Sequence, residues 1–231
     1  MTRGQEIDQF DLKEKKLELI EIAKRSFAMG LQTNSGGNLS VRLACADAIV
    51  IKPSGIGFNE CAEDNLMVCD LCGNILDGGG KPSKDLEFHC AIYRAQPEAG
   101  AIVHVHSPWA IGYSDLGVPF RCSTVQSVGK LGELIPCIDL APGGKPQGAA
   151  EVEPVFANPE TKAALLRSHG TIGVGRTLMS AQYVVELLEE TIHSAFAAVV
   201  IRRHFGESTD EELGLQQPTG FLKSEGPFRN T

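Results

Sequence analysis

The amino-acid sequence predicts one α/β domain of the sandwich type, and three observations lead to this fold class. Segments with helical periodicity alternate with strand-like segments, which are concentrated in the middle of the chain. No internal repeat, low-complexity tract or linker rich in proline or serine divides the sequence. The 231 residues, 42% of them hydrophobic, are enough to bury a single core. We therefore expect residues 1–231 to form a single domain, with a weakly ordered polar tail over about 207–231.

Both ends of the predicted domain are helical. Residues 12–31 have apolar side chains at helical spacing and charged ones on the opposite face, which predicts an amphipathic helix. Residues 178–205 carry a longer apolar stripe and predict a second helix. Two internal helices are also expected. One covers residues 85–95 with Ser83 as its N-cap, and the other begins at Pro108, because proline is favoured at the first helical position.

The middle of the chain predicts strands. The segments SVRLA, AIVIKP and NLMVCD are rich in apolar and β-branched residues and are separated by turn residues. Residues 101–106 form another short apolar run after a glycine, and residues 136–140 and 172–174 are further strand candidates. Together with the helices, these segments favour mixed layers over an all-α or all-β fold.

Charge excludes several classes of partner. The chain has 21 Lys and Arg against 29 Asp and Glu, a net charge of −8, and nucleic acids or anionic membranes require a basic face. A small anion is not excluded, because backbone N–H groups can bind it inside an acidic protein. No apolar stretch is long enough to span a bilayer, the N-terminus does not resemble a secretory signal, and the seven cysteines are scattered. We expect a cytoplasmic protein with reduced thiols.

The pair His104 and His106 is the sharpest chemical signal. Residues two apart on a strand point to the same face, so both imidazoles can reach one metal ion. A pair of structural histidines is the alternative. Two other residues favour a metal. Asp85 lies at the start of the helix that leads into this strand, and His169 ends an apolar run before a glycine. Three histidines with an open fourth position are typical of a catalytic metal site.

Three glycine-containing turns suggest an anion site. They are SGGN, KPSG and GKPS, and they end at Asn38, Gly55 and Ser83. Glycine permits the turns that direct successive N–H groups at one anion, and Asn38, Ser54 and Ser83 can add side-chain donors. Each turn alone is equally consistent with an ordinary hairpin.

Other candidates favour a structural interpretation. A single Cys69-x-x-Cys72 pair without a second pair predicts no zinc site. We expect His89, one turn after Asp85, to be structural, and His193 to contact Glu189 on its own helix.

The segments SGGNLSVR, IVIKPSG, GGKPSKDLEFHCAIYRAQPEAGAIVHVHSP and LLRSHGTIGVG resemble, in this order, the class II aldolase/adducin-head family. That family includes L-fuculose-1-phosphate aldolase and L-ribulose-5-phosphate 4-epimerase. The resemblance covers about residues 35–175 and implies an α/β/α sandwich with a central, mostly antiparallel sheet. It also implies a homotetramer with sites at subunit interfaces.

The resemblance implies roles for individual residues. His104, His106 and His169 would ligate a divalent metal, usually Zn²⁺, with Mn²⁺ or Co²⁺ as alternatives. Asp85 would be the acid/base or a fourth ligand. The contacts to phosphate or another anion are implied to be Asn38, Ser54, Gly55 and Ser83.

Three departures from the family pattern bear on activity. Lys84 stands where a second serine is expected, and it could bind a phosphate or a substrate carboxylate. Asp85 is one methylene shorter than the glutamate of the aldolases. Thr124-Val125-Gln126 stands where an aldolase tyrosine is expected, and none of the three tyrosines lies in the C-terminal tail.

The leading functional hypothesis is a metal-dependent aldolase that acts on a ketose phosphate through a metal-stabilised enediolate. One alternative is a sugar-phosphate 4-epimerase that uses the same retro-aldol step. A second is a metal-dependent decarboxylase in which Lys84 binds a carboxylate. A non-catalytic adducin-like scaffold would be expected to lack the metal ligands, yet all three histidines are present.

Overall fold

A central sheet with helices on both faces organises the molecule. The computed structural model of the chain describes residues 7–44, 47–139 and 149–205, so the predicted tail at 207–231 lies outside the described residues. The helices in this part of the chain are α1 (Gln9–Ala28), α2 (Leu86–Ala95), α3 (Pro108–Ser114), α4 (Val125–Leu131), α5 (Ala149–Phe156) and α6 (Leu178–Phe205). Its strands are β1 (Asn38–Arg42), β2 (Ala48–Ile51), β3 (Met67–Asp70), β4 (Ile75–Asp77), β5 (Ala101–Val105), β6 (Phe120–Arg121), β7 (Leu134–Ile135), β8 (Cys137–Ile138), β9 (Ala163–Leu166) and β10 (Gly170–Gly175).

Eight strands form the main sheet in the order β4-β3-β2-β1-β5-β10-β9-β8, and β6 pairs with β7 separately. Every pair in the main sheet is antiparallel except β8 with β9. The predicted α/β/α sandwich with a mostly antiparallel sheet is therefore confirmed.

The two faces of the sheet bury different helices because side chains alternate along a strand. On β5, Val103 and Val105 pack into the cluster that contains residues of α1 and α6. Ile102 points the other way, into the cluster that contains residues of α2 and α5. Within the described residues, no helix has the length and apolar character needed to cross a membrane.

The start of α2 differs from the expectation. The helix begins at Leu86 instead of Asp85, and Ser83 is not its N-cap. Asp85 occupies the N-cap position, but its carboxylate caps no helix N–H group. The carboxylate is engaged elsewhere, because Asn38 of β1 donates to Asp85 Oδ2 at 2.6 Å. Ser83 Oγ accepts the Asp85 backbone N–H at 3.2 Å in the turn before the helix.

Gly173 tests how tightly the sheet packs on α6. A Cβ atom there would lie 2.7 Å from the Ala181 carbonyl oxygen and 2.8 Å from Val185 Cγ1. We expect Gly173→Ala to lower the free energy of unfolding by about 1–3 kcal/mol, because backbone must shift to relieve this overlap. Gly79→Ala is the matched control, since open space surrounds its Cβ position. Urea denaturation measures both, and equal stabilities would contradict the tight α6–β10 packing.

Candidate metal centre and its carboxylate

Strand register brings the predicted site residues to one end of the sheet. Asn38 on β1 lies opposite His104 on β5, and Val105 lies opposite Thr171 on β10. His169 sits in the turn that joins β9 to β10, next to the same end. Three segments far apart in sequence therefore meet where β5 ends.

The three predicted metal ligands are brought together. Ligand nitrogens of His104, His106 and His169 all lie within 4.8 Å of one another. His104 Nε2 and His106 Nε2 are 3.1 Å apart. Two nitrogens bound to one tetrahedral zinc ion at the usual bond length would be separated by about 3.3 Å. The donor set thus fits a divalent transition metal, and no other such cluster is present in the described ranges.

A backbone contact orients His104. Its Nδ1 donates to the Thr171 carbonyl oxygen at 2.9 Å, so Nε2 carries the lone pair that faces the other two rings. His104 is fully buried, and its ring cannot turn without losing this hydrogen bond. The contact selects the tautomer that metal ligation requires.

Burial keeps the three imidazoles neutral. It lowers the pKa of His104 well below its usual range, and His169 and His106 add repulsion. Burial and then the proximity of His169 lower the pKa of His106 to about 4. Burial also lowers the pKa of His169. Near neutral pH the cluster offers three uncharged nitrogen ligands, the form in which histidine binds metal.

A strained turn delivers His169 to the cluster. Ser168, the residue before it, has φ of 52°, which a non-glycine residue rarely adopts. Its N–H donates to Ser114 Oγ at 3.1 Å and its hydroxyl donates to Asp115 at 2.6 Å. The sequence suggested a tight turn before Gly170, but nothing in it pointed to strain at Ser168 or to its anchors.

Two glycines allow the histidine rings to pack against backbone. A Cβ at Gly36 would lie 2.8 Å from the His106 ring. A Cβ at Gly170 would lie 2.4 Å from the Val105 carbonyl oxygen and 3.2 Å from His104 Cε1. The turn at Gly36, which the sequence suggested for anion binding, therefore also shapes the candidate metal centre.

Asp85 lies beside the cluster without joining it. Its Oδ2 is 3.9 Å from His104 Nε2, but the pair is not an ion pair because His104 is neutral. Its closer partner is Asn38 Nδ2, at 2.6 Å. The carboxylate is buried, and this position places it within reach of a molecule that contacts the three histidines.

The three predicted anion turns lie side by side. Asn38 Nδ2 donates to Ser83 Oγ at 3.0 Å, which joins the first turn to the third. Ser54 joins the second turn to the third, because its N–H and hydroxyl donate to the carbonyl oxygens of Lys81 and Pro82, each at 3.0 Å. The φ of Gly55 is +82° and its Cβ position is in open space. Lys84 is exposed.

Lys52 is a buried charged residue close to the site that the sequence did not single out. This lysine is only 1% exposed. Its Nζ donates to the carbonyl oxygens of Ile56 and Pro53, at 2.6 and 3.1 Å, and to that of Ser35, at 3.4 Å. Burial lowers the pKa of Lys52, while Cys61 and Asp85 oppose the shift. A lysine directly after an apolar strand run and before Pro-Ser-Gly was the available signal.

The secondary candidates have structural contacts. Cys69 is buried on β3, whereas Cys72 is exposed in the following turn. His193 stacks on Trp109 with ring centroids 4.1 Å apart. The expected contact of His193 with Glu189 is absent from the described hydrogen bonds, because the Glu189 carboxylate accepts the N–H groups of Trp109 and of Ala110 at the start of α3.

Buried neutral histidines predict an acid-sensitive fold. Burial lowers the pKa of His89 to about 3 in the folded chain, against 6.5 for an exposed histidine. Below pH 6.5, His89 binds a proton in the unfolded chain but not in the folded chain. The free energy of unfolding of the metal-free protein therefore falls as pH falls. His89→Gln should reduce this slope by up to about 1.4 kcal/mol per pH unit. Urea denaturation at several pH values measures it.

His193→Gln is the control for this prediction, since His193 is exposed on α6. It should retain the slope of the unchanged protein. A His89→Gln slope equal to that of the unchanged protein would show that His89 is not held neutral by the fold.

Comparison with known proteins places this geometry in a family. Residues 17–196 match the Class II Aldolase and Adducin N-terminal domain. The 3-oxo-tetronate 4-phosphate decarboxylase of Haemophilus influenzae is 35% identical over 189 residues, covering 78% of this chain and 86% of the relative. The L-ribulose-5-phosphate 4-epimerase UlaF of Salmonella paratyphi C is 28% identical over 211 residues, covering 86% of this chain and 89% of the relative.

A solved structure of L-fuculose 1-phosphate aldolase superposes with a TM-score of 0.75 at 29% identity, covering 87% of this chain and 93% of that one. These relatives carry the names of three different activities, and all three activities are enzymatic. Sequence and fold agree over most of the chain. The protein therefore belongs to the class II aldolase and adducin family.

Proposed function

We propose that the protein is a divalent-metal-dependent lyase that breaks a carbon–carbon bond beside a carbonyl group in a small phosphorylated substrate. The observation that carries this proposal is the cluster of three neutral histidines with the Asp85 carboxylate 3.9 Å from His104. Neutral ligands leave the charge of the ion uncompensated, which suits it to stabilising anions. A scaffold without catalysis would have no need for such a cluster.

His104, His106 and His169 would hold the ion, with Zn²⁺ favoured and Mn²⁺ or Co²⁺ as alternatives. When bound, the ion supplies Lewis-acid stabilisation of the negative charge that develops on substrate oxygens as the neighbouring bond breaks. The contact from Thr171 to His104 keeps the ring in the ligating orientation throughout.

Asp85 would move the proton. It would take a proton from water and pass it to the carbon atom at which the bond has broken, which returns the carboxylate to the ionised form that Asn38 holds by the bond to Oδ2. The alternative role, a fourth ligand to the ion, is compatible with the same 3.9 Å separation from His104.

The adjoining turns would bind the phosphate. Ser54, Gly55 and Ser83 are held together by the contacts between the second and third turns, and Gly55 leaves its surroundings open to an anion. Lys84 would complete the anion site as an exposed cation at its edge. Asn38, which the sequence also suggested as an anion contact, donates instead to Ser83 and Asp85, so it would support the site from behind.

Loss of CO2 from a phosphorylated 3-oxo acid is the reaction that we place first. The decarboxylase relative is 35% identical. A retro-aldol step also needs a group that takes a proton from the substrate hydroxyl, whereas loss of CO2 does not. Two of the three tyrosine hydroxyls are already engaged, Tyr93 with Ser40 and Tyr113 with the Pro119 carbonyl oxygen, and the third tyrosine, Tyr183, is exposed on α6. Lys84 can bind the substrate carboxylate.

Aldol cleavage of a ketose phosphate is the second candidate. The likeness to L-fuculose 1-phosphate aldolase favours it, with a TM-score of 0.75. Epimerisation would follow if the two fragments of this cleavage rejoined, with the new carbon–carbon bond formed on the opposite face of one fragment.

The working unit would be a homotetramer. Apolar side chains on the outer part of α6 are exposed in the single chain, and burial of such a surface between copies would stabilise an assembly. They are Phe196 at 53%, Val200 at 47%, Ile201 at 41% and Phe205 at 48% exposure. Light scattering should give the mass of four chains.

Product analysis tests the reaction. The zinc-loaded protein is assayed with 3-oxo-tetronate 4-phosphate, ketose 1-phosphates and pentulose 5-phosphates, and CO2, aldehydes and sugar isomers are measured. We expect metal-dependent CO2 release, reduced about 10²- to 10⁴-fold by Asp85→Asn. Aldehyde or isomer formation instead would assign the aldolase or the epimerase. No metal-dependent turnover on any substrate would contradict the proposed lyase.

Metal content tests the ligands separately. His104→Ala or His169→Ala should abolish stoichiometric metal binding with only a modest loss of fold, because each removes one of three nitrogen ligands. His193→Ala is the matched control and should bind metal normally. Elemental analysis and circular dichroism measure both properties. Full metal content in the His104 and His169 variants would refute the assignment.

A further inference from the structure

Two rows of polar side chains face each other in the interior between β1 and α2. On β1 they are two residues apart, Asn38 and Ser40. At the start of α2 and along it they are four residues apart, Asp85, His89 and Tyr93. Two strand residues advance about 6.7 Å and four helix residues about 6.0 Å, so the two rows stay in step. All five side chains are buried.

The two rows form one continuous chain of hydrogen bonds. Asp85 Oδ2 contacts Asn38 Nδ2 at 2.6 Å, and Asn38 Oδ1 contacts His89 Nε2 at 2.5 Å. His89 Nδ1 contacts Ser40 Oγ at 2.7 Å, and Ser40 Oγ contacts the Tyr93 hydroxyl at 2.9 Å. The chain connects the proposed catalytic carboxylate to the protein core.

The carboxylate sets the direction of every bond. An ionised carboxylate only accepts, so Asn38 must present its NH2 group to Asp85 and its Oδ1 to His89. His89 then donates from Nε2, which leaves Nδ1 as an acceptor for the Ser40 hydroxyl. Ser40 in turn accepts from Tyr93. Every donor along these two rows thus meets an acceptor, and the second N–H of the Asn38 amide donates to Ser83 Oγ at 3.0 Å.

We propose that His89 is a positioning residue: as the Nε2–H tautomer it locks the amide of Asn38, and the locked amide holds the Asp85 carboxylate beside the three histidines. The amide of Asn38 has two orientations related by rotation of 180°. Asp85 favours the observed one through its contact with Nδ2, and the donor of His89 favours the same one through its contact with Oδ1. A reversed amide would present Oδ1 to the carboxylate and repel it. This inference concerns Asp85 and rests on the proposed function for its effect on turnover.

Nuclear magnetic resonance of the metal-free protein tests the lock without any activity. In the unchanged chain we expect His89 to carry its proton on Nε2 and the Asn38 side-chain NH2 group to exchange slowly with solvent. His89→Leu has no donor and should speed that exchange at least about tenfold. His89→Gln keeps an N–H near the Nε2 position and should retain slow exchange. A proton on Nδ1 of His89, or equal exchange in the two variants, would overturn the lock.

Turnover supplies the second readout. His89→Leu should lower kcat about 10- to 100-fold with little change in KM or in metal content, because it displaces Asp85 and leaves the ligands in place. His89→Gln should recover most of that loss. Ser26→Ala is the control, since it removes a side-chain hydrogen bond of 2.6 Å to Gln182 that is also buried but lies between α1 and α6. It should leave kcat unchanged.

The outcomes separate this inference from the proposed function. If no substrate is turned over, the proton position and the exchange rates still confirm or overturn the lock. If turnover is found, equal kcat values for His89→Leu and the unchanged protein, or equal losses in His89→Leu and His89→Gln, overturn the positioning role alone. If His89→Leu fails to fold, the proton on His89 and the kcat of His89→Gln remain decisive.

Discussion

The antiparallel register of β1, β5 and β10 is the constraint on which the candidate site depends. It sets Asn38 opposite His104 and Thr171 opposite Val105, at the end of the sheet where β5 stops. A shift of one residue in any pair would turn the site side chains toward the opposite layer, because strand residues alternate between faces. The ladder of backbone hydrogen bonds therefore supports both the core and the candidate metal centre.

Close backbone packing is the second requirement at that end of the sheet. Gly36 and Gly170 let backbone approach the histidine rings at distances that a Cβ would prevent. Ser168 adopts a positive φ, and the contacts from Ser114 and Asp115 hold it there. Such strain persists only where surrounding structure enforces it, and here it directs His169 to the other two histidines.

Burial of polar groups links stability to chemistry in this fold. The chain of hydrogen bonds from Asp85 to Tyr93 satisfies polar atoms that would otherwise be costly inside the layer between β1 and α2. The same burial keeps the three clustered histidines neutral, which is the form of histidine that binds metal. The buried Lys52 is satisfied by backbone instead, because its ammonium group donates to the carbonyl oxygens of Ser35, Pro53 and Ile56.

Local sequence patterns were sufficient to predict several features of the fold and of the candidate site. The period-two placement of His104 and His106, the long apolar stripe of α6 and the mixed α/β class all follow from neighbours in sequence, and the structure agrees with them. The predicted start of α2 at Asp85 was one residue early. The sequence also could not show that Asn38 engages the Asp85 carboxylate, which therefore caps no helix N–H group.

The remaining features depend on long-range contacts. The strained turn at Ser168 requires anchors some 50 residues away, and the buried Lys52 requires carbonyl oxygens from two turns. Sequence therefore singles out the residues that we propose to carry the chemistry, through residue type and short-range spacing. Their distances, tautomers and partners arise only in the folded chain, because strand pairing and burial bring together groups that no local pattern connects.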